Sequence, residues 1–209
     1  DPNSLDVRGG FAERRSPKVM GEETYKQAYE GATQALVCDP ESASFDLDQF
    51  LVIHPDLRAT LAQADTNPQL KDSLRDFVQK SVDYTQQTGK GLDLVGEKNI
   101  LFFENADNSW NYKLVDALSP YAEQGLQRSE ELMQKVVANE PLDDNEKFLL
   151  TCAVNYARTL NGLAKQLGVE DHLDIMPPGQ TLDPSKLWDL LLDLGPPQQS
   201  SGQEQEATV

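Results

Sequence analysis

Residues 91–120, GLDLVGEKNILFFENADNSWNYKLVDALSP, decide the fold of this chain. Within them, Ile100–Phe103 is a short apolar run, and residues 105–109 have the Asn, Asp and Ser content typical of a turn. In residues 110–114, aromatic and aliphatic side chains alternate with polar ones, which is the period of a half-buried strand. Two such runs joined by a short polar turn predict a β-hairpin.

The sequence on both sides of this hairpin has helical periodicity. Directly before it, Asn67-Pro68 begins and Gly89 ends a stretch in which one apolar stripe recurs every three or four residues. Further helices are predicted over residues 22–37, 45–53, 57–64 and 126–137, from Asp143 or Asp144 to Gly168, and from Asp183-Pro184 to Gly195. The fold class is therefore mainly α with one embedded β-hairpin, an α+β architecture.

Three segments differ in composition. Residues 1–20 are polar and locally basic and predict a flexible arm, of which Asp1–Ser4 is interpreted as a cloning scar. Residues 21–195 have the periodic apolar residues of a single helical domain. Residues 196–209 are rich in Gln, Ser, Gly and Glu and predict a disordered acidic and polar tail.

Length and charge exclude several functions. The 209 residues suit one domain, and the 35 acidic against 18 basic residues give a net charge of −17. Such an acid excess argues against nucleic acid and against anionic membrane surfaces as partners, because both require clustered Lys and Arg. There is no apolar run of the length that spans a bilayer and no signal peptide. Cys38 and Cys152 predict two reduced thiols in a cytoplasmic protein.

Four polar residues that flank the hairpin are candidates for a functional site. Asp93 lies in the loop after the long helix, Lys98 and Asn99 precede the first strand, and Asp116 follows the second. A hairpin brings the residue before its first strand close to the residue after its second. The oxygens of Asn99 and Asp116 are therefore expected to meet one cation.

This order over residues 68–120 resembles the large lobe of the protein-kinase-like fold, in which a catalytic loop precedes a hairpin that leads to a metal-binding Asp. The resemblance implies that Asp93 acts as the base-like catalytic residue. It also implies that Asn99 and Asp116 bind Mg²⁺, and that Lys98 lies near the phosphates of ATP. Mg²⁺ and ATP are the cofactors implied.

The sequence departs from the pattern of that family. Leu92 stands where a basic residue precedes the Asp, and Asp116-Ala117-Leu118 replaces Asp-Phe-Gly. The 209 residues contain no G-x-G-x-x-G loop that would cover a nucleotide. We therefore expect a fragment or a degenerate phosphotransferase with a residual site, incompetent alone, whose partner is a basic protein or one that supplies the small lobe.

A second interpretation is a non-catalytic, acidic helical adaptor that binds a basic protein partner. In that case Asp93 solvates a turn, Asn99 bonds the backbone of its own loop, and Lys98 is a surface charge. Asp116 would then be paired structurally, because a carboxylate next to apolar residues is costly unless it is used or paired.

Overall fold

The computed structural model of the chain describes residues 4–6, 21–41, 43–53, 55–94, 99–115 and 118–192. Helices make up most of these residues, and the strands belong to one antiparallel sheet. The helices are α1 (Glu22–Thr33), α2 (Leu47–Ile53), α3 (Pro55–Thr66), α4 (Pro68–Thr88), α5 (Pro120–Val137), α6 (Asp144–Leu167) and α7 (Pro184–Leu192), and α1 continues into a π-helical segment, Gln34–Cys38. The mainly α fold with one embedded hairpin is confirmed.

Helix α4, which precedes the hairpin, begins and ends where its flanking residues predict. The side chain of Asn67 accepts a hydrogen bond from the backbone N–H of Leu70 at 3.1 Å, and Gly89 ends the helix in the left-handed region with φ 67°. The predicted stripe is buried along its whole length: Leu70, Leu74, Phe77, Val78, Ser81, Val82 and Thr85. This face packs against α6 and the hairpin.

Helix α6 is the centre of the domain. It packs against α1, α2, α4, α5, α7 and the π-helical segment. Every residue from Ala153 to Ala164 is buried, as expected of a helix surrounded by other elements. Asp143 caps it by accepting a hydrogen bond from the backbone N–H of Glu146 at 2.8 Å, and Gly168 ends it with φ 70°. Gly168 was predicted to end this helix, and of the two predicted starting residues, Asp143 and Asp144, the structure has Asp143 as the cap.

The side-chain amide of Asn161 is fully buried and hydrogen-bonds two other segments to α6. Its Nδ2 donates to the carbonyl oxygens of Leu36 at 2.7 Å and Leu173 at 2.9 Å, and its Oδ1 accepts from the backbone N–H of Leu173 at 2.7 Å. Leu36 belongs to the π-helical segment and Leu173 to the chain after α6. One side chain therefore satisfies three buried backbone groups that the surrounding apolar side chains cannot.

A cluster of charges joins α5 to the start of α6. The carboxylate of Glu146 accepts hydrogen bonds from Lys135 Nζ at 2.6 Å and from Arg128 Nη2 at 2.9 Å. It also accepts one from the backbone N–H of Asp143, which completes a capping box. The bond from Lys135, with those from Asp143 and Arg128, lowers the pKa of Glu146 to about 2. The carboxylate is thus held in its charged form.

Helices α5 and α6 also approach each other closely at Gly125. A Cβ built on Gly125 would overlap the carbonyl oxygen of Leu149 and lie 3.2 Å from the backbone nitrogen of Ala153. By contrast, a Cβ on Gly31 of α1 would meet only the flexible end of the Gln49 side chain. The α5–α6 crossing therefore requires glycine, whereas position 31 does not.

The sheet consists of β1 (Ser4–Asp6), β2 (Ile100–Glu104) and β3 (Trp110–Leu114), antiparallel and in that order. Strands β2 and β3 form the predicted hairpin, with Phe102 opposite Tyr112. Residues 4–6 lie within the segment that was predicted to be a flexible arm. They pair with β2, with Leu5 opposite Phe102, because that edge of β2 offers unpaired backbone groups.

The bounds of α2 and α3 differ from the predicted ones by two residues, and the start of α5 differs by six. Helix α5 begins at Pro120, before the amphipathic residues 126–137 from which it was predicted. The side chain of Ser119 caps it by accepting a hydrogen bond from the backbone N–H of Ala122 at 3.3 Å. Pro120 is the first residue of the helix, a position that proline favours. Among the described residues, no helix combines the length and the apolar character needed to cross a bilayer.

Candidate functional site

The candidate site lies where the hairpin joins the helices, at residues 91–94, 99, 115, 118 and 119, which we call the hairpin base. The backbone N–H of Val115 donates to the carbonyl of Asn99 at 2.8 Å, which extends the pairing of β2 and β3 by one residue pair. Leu92 forms an antiparallel bridge with Leu118, and the N–H of Ser119 donates to the carbonyl of Gly91 at 3.1 Å. The chain before the hairpin and the chain after it therefore run side by side.

Asp93 lies at the centre of a sharp bend in this base. The backbone N–H of Leu94 donates to the carbonyl of Leu92 at 3.0 Å, a bond across three residues that defines a γ-turn around Asp93. Asp93 is half-buried. The bend follows the bridged residue Leu92, so hydrogen bonds of its two neighbours, Leu92 and Leu94, hold the backbone at Asp93.

Asn99 is buried against the same loop, with 8% of its surface exposed. Its Nδ2 donates a long hydrogen bond of 3.5 Å to the main-chain carbonyl of Asp93. Two of the four predicted site residues, Asp93 and Asn99, therefore lie next to each other. Because the nitrogen of the carboxamide faces the loop, Oδ1 is the atom of Asn99 that is left to accept a bond or bind a cation.

The other two predicted residues, Lys98 and Asp116, lie outside the described residues. The meeting of Asn99 and Asp116 around one cation therefore stays a prediction. In the part of the chain that the structure describes, no group of three His, Cys, Asp or Glu side chains is arranged to hold a metal ion. The carboxamide of Asn99 and a carboxylate are oxygen ligands of the kind that Mg²⁺ prefers.

Tyr156 of α6 holds the hairpin base in place, and the sequence did not single it out as more than a core residue. Its hydroxyl accepts a hydrogen bond from the backbone N–H of Leu92 at 3.1 Å and lies 3.0 Å from Oγ1 of Thr85, at the end of α4. Burial raises the pKa of this hydroxyl. A tyrosine within an otherwise aliphatic helical stripe is the only sequence signal of this contact.

An apolar groove of about 420 Å³ adjoins the hairpin base, between α4 and β3. We call it the α4–β3 groove, and it is lined by Phe77, Lys80, Ser81, Tyr84, Leu92, Tyr112, Leu114 and Leu118. At its rim the Asp76 carboxylate accepts hydrogen bonds from Lys80 Nζ at 2.8 Å and from the Tyr112 hydroxyl at 3.1 Å. Burial and the bond to Asp76 raise the pKa of Tyr112. The polar groups of the rim are thus paired with one another, and the interior is apolar.

Comparison of this chain with family models, with curated proteins and with solved structures returned no match.

Proposed function

We propose that this chain is a kinase-like large lobe, a fragment or a degenerate phosphotransferase, with a residual magnesium–nucleotide site at the hairpin base. One observation carries the proposal: the antiparallel closure of the hairpin base by the Leu92–Leu118 bridge and the Asn99–Val115 bond. This closure brings the backbone of Leu92 and Asn99 next to that of Leu118 and Val115, which supports a site at this place. Phosphoryl transfer of the kinase type uses a loop carboxylate, an amide and a strand-exit carboxylate together, and in the proposal Asp116 supplies the last of these.

In this proposal Asn99 and Asp116 hold Mg²⁺, and Lys98 lies near the phosphates of ATP. A cation held by these two residues would neutralise charge on the transferred group. Asp93 orients the acceptor hydroxyl and accepts its proton. The main-chain carbonyl of Asp93 is bonded to the Asn99 carboxamide, so the base-like residue and one metal ligand would keep a fixed relation to each other.

We infer that the site does not transfer phosphate alone. The sequence has no glycine-rich loop to cover the nucleotide, and exclusion of water strengthens each electrostatic contact in such a site. A protein partner that supplies the small lobe would provide that cover.

Cys38 and Cys152 form no disulfide, and Cys38 is buried whereas Cys152 is partly buried. Burial, with Asp183 and Asp39, raises the pKa of Cys38 to about 12. Reduced cysteines support a cytoplasmic location in this proposal.

The test is thermal unfolding of the protein with Mg²⁺ and ATP. At a nucleotide concentration tenfold above Kd, binding adds about 1.4 kcal/mol of stability, or about 3–5 °C for a domain of this size. We expect Asp116→Asn to abolish the shift. Asp107→Asn is the matched control, because Asp107 is a carboxylate in the turn at the opposite end of the same hairpin.

Three results bear on the proposal. A shift that requires both Mg²⁺ and ATP, is kept in Asp107→Asn and is lost in Asp116→Asn supports it. The absence of a shift up to about 1 mM nucleotide contradicts it. An equal shift in both variants also contradicts it, because the cation would then bind elsewhere.

The second candidate function is a non-catalytic acidic adaptor for a basic protein. The net charge of −17 favours it. A basic probe such as poly-lysine would then bind with an affinity that falls steeply with salt, because the Debye length shrinks from about 10 Å at 0.1 M to about 3 Å at 1 M. Binding that is insensitive to salt would contradict an electrostatic adaptor.

A further inference from the structure

The outer edge of β3 presents a row of backbone groups. The bonds between Val115 and Asn99 and between Asn105 and Ser109 fix the pairing at the two ends of the hairpin. In an antiparallel pair, hydrogen-bonded and non-hydrogen-bonded positions alternate. Residues 111 and 113 therefore direct their backbone groups towards β2. Trp110, Tyr112 and Leu114 direct theirs away from it.

No strand pairs with this outer edge in the part of the chain that the structure describes, where β3 is the last strand of the sheet. An unpaired edge is a template for another extended segment. Of the features that blunt such an edge, β3 lacks a proline and a bulge in its pairing with β2, and it contains one lysine, Lys113. The α4–β3 groove opens beside the same strand.

The exposed apolar side chains are concentrated at the same place. The large hydrophobic residues that are exposed in the described part of the chain are Leu114 (38%), Val115 (59%), Leu118 (48%) and Tyr121 (59%). All four lie within eight consecutive residues, and two of them line the α4–β3 groove. Single exposed apolar residues are common on proteins, but several within one short segment beside an open strand edge favour an interaction surface.

We propose that the α4–β3 groove binds an extended segment of a partner protein, which adds a strand to the outer edge of β3. Its backbone bonds Trp110, Tyr112 and Leu114. Alternate apolar side chains of the segment enter the groove between α4 and β3, as in other complexes formed by strand addition. This binding mode is independent of the magnesium–nucleotide site and does not require it.

The net charge of the chain favours a partner protein over a second copy as the segment that binds the groove. Two copies of this chain each carry −17, so pairing of the edge with itself is opposed by repulsion. At the rim of the groove, Lys80 is already paired with Asp76, and the interior is apolar, so the groove selects apolar side chains. The net charge attracts segments with Lys and Arg at the positions that face solvent. The occupant is therefore an extended segment in which apolar and basic residues alternate.

The experiment uses the full chain and a fluorescein-labelled heptapeptide, Arg-Val-Lys-Val-Arg-Val-Lys, as the probe. Binding is measured by anisotropy, and amide hydrogen exchange is measured by NMR with and without the peptide. We expect the amides of Tyr112 and Leu114 to gain protection. The amide of Lys113, which already bonds β2, should change little. That alternation is a signature that loose apolar contact does not produce.

Two variants isolate the backbone donor. Leu114→Ala and Leu114→Pro both remove the leucine side chain, but only the proline removes the outward N–H, and proline is tolerated where the N–H of an edge strand faces away from its neighbour. We expect Leu114→Pro to bind the peptide about tenfold more weakly than Leu114→Ala. If the proline variant does not fold, the hydrogen-exchange pattern of the unmodified chain still tests whether the peptide pairs with β3.

Binding with protection of Tyr112 and Leu114 supports the proposal. The absence of binding up to about 1 mM peptide overturns it, and so does binding that leaves these two amides unprotected. If the chain without peptide forms a dimer in which the same amides are protected, the edge binds a second copy, and the assignment to a partner protein is wrong.

Discussion

We expect Asn161→Ala to lower the free energy of unfolding by about 3–5 kcal/mol. Asn161 is fully buried and makes three hydrogen bonds of 2.7–2.9 Å, to the carbonyls of Leu36 and Leu173 and from the N–H of Leu173. A typical hydrogen bond contributes about 1 kcal/mol net, and a buried polar group left unpaired costs about 1–3 kcal/mol. Because alanine leaves three such groups unpaired, the loss exceeds the simple sum of three average bonds.

A loss of this size is a large part of the stability of a domain, which is about 5–15 kcal/mol. The assay is urea unfolding followed by circular dichroism, with the slope of the transition compared between variants. For a domain of this size the melting temperature should also fall by about 10 °C. If water entered the site and replaced the amide, the loss would be much smaller.

Gln86→Ala is the matched control. Gln86 also donates a side-chain amide hydrogen to a backbone carbonyl of the same segment, that of His172 at 3.0 Å, but this bond is exposed. Its loss should cost less than about 0.5 kcal/mol, because water replaces the lost partner. A loss below about 1 kcal/mol for Asn161→Ala, or equal losses for the two variants, would refute the reasoning.

Three further predictions follow from the packing and charge of the helices. Gly125→Ala should destabilise the protein by about 1–3 kcal/mol in urea unfolding, because its Cβ meets backbone, whereas Gly31→Ala should be neutral or stabilising by up to about 1 kcal/mol. Because the folded pKa of Glu146 is about 2, below its ordinary value of 4.5, its contribution is present above pH 4.5 and is lost as the pH falls towards 2. Glu146→Gln should therefore flatten the decline of stability between these values, and an unchanged slope would contradict this. The thiol of Cys38, with a pKa of about 12 and buried, should resist Ellman's reagent in the native state at pH 8 but react in guanidinium, and rapid native labelling of Cys38 would contradict it.

The elements whose signals are local were predictable from the sequence. The caps of α4 and α6 lie within four residues of the backbone groups they satisfy, so Asn67, Gly89, Asp143 and Gly168 mark the ends of helices without reference to the rest of the chain. The hairpin was predictable for the same reason, because its turn residues lie between its strands. The apolar stripe of α4 was predicted in full, since periodicity alone defines which face is buried.

Contacts between distant residues were not predictable in this way. Asn161 and Leu36 are 125 residues apart, and Tyr156 and Leu92 are 64 apart. The periodicity of an apolar helix does not predict a buried polar residue such as Asn161. Its place is explained only by the backbone groups that it bonds. Arg158 is a similar case, since it is fully buried with its guanidinium 4.1 Å from the centre of the Tyr29 ring.

The candidate site shows the same difference between local contacts and contacts of distant residues. Asp93 and Asn99, six residues apart, are in contact in the structure, whereas the sequence predicted a meeting of Asn99 with Asp116, which lies outside the described residues. The bridge between Leu92 and Leu118 depends on how the hairpin returns to the helices, which local patterns do not specify. The α4–β3 groove was not predicted, because it is the space between two elements rather than a property of either.

The hydroxyl of Tyr156 has a consequence for how this protein evolves. It is the contact through which the innermost helix reaches the backbone of Leu92, so a change that loosens α6 also displaces the bend that carries Asp93. Natural selection for any activity of that bend would therefore act on aliphatic positions of α6 that touch no ligand. Conversely, a lineage that abandoned the activity could accept substitutions around Tyr156 before its surface residues diverged.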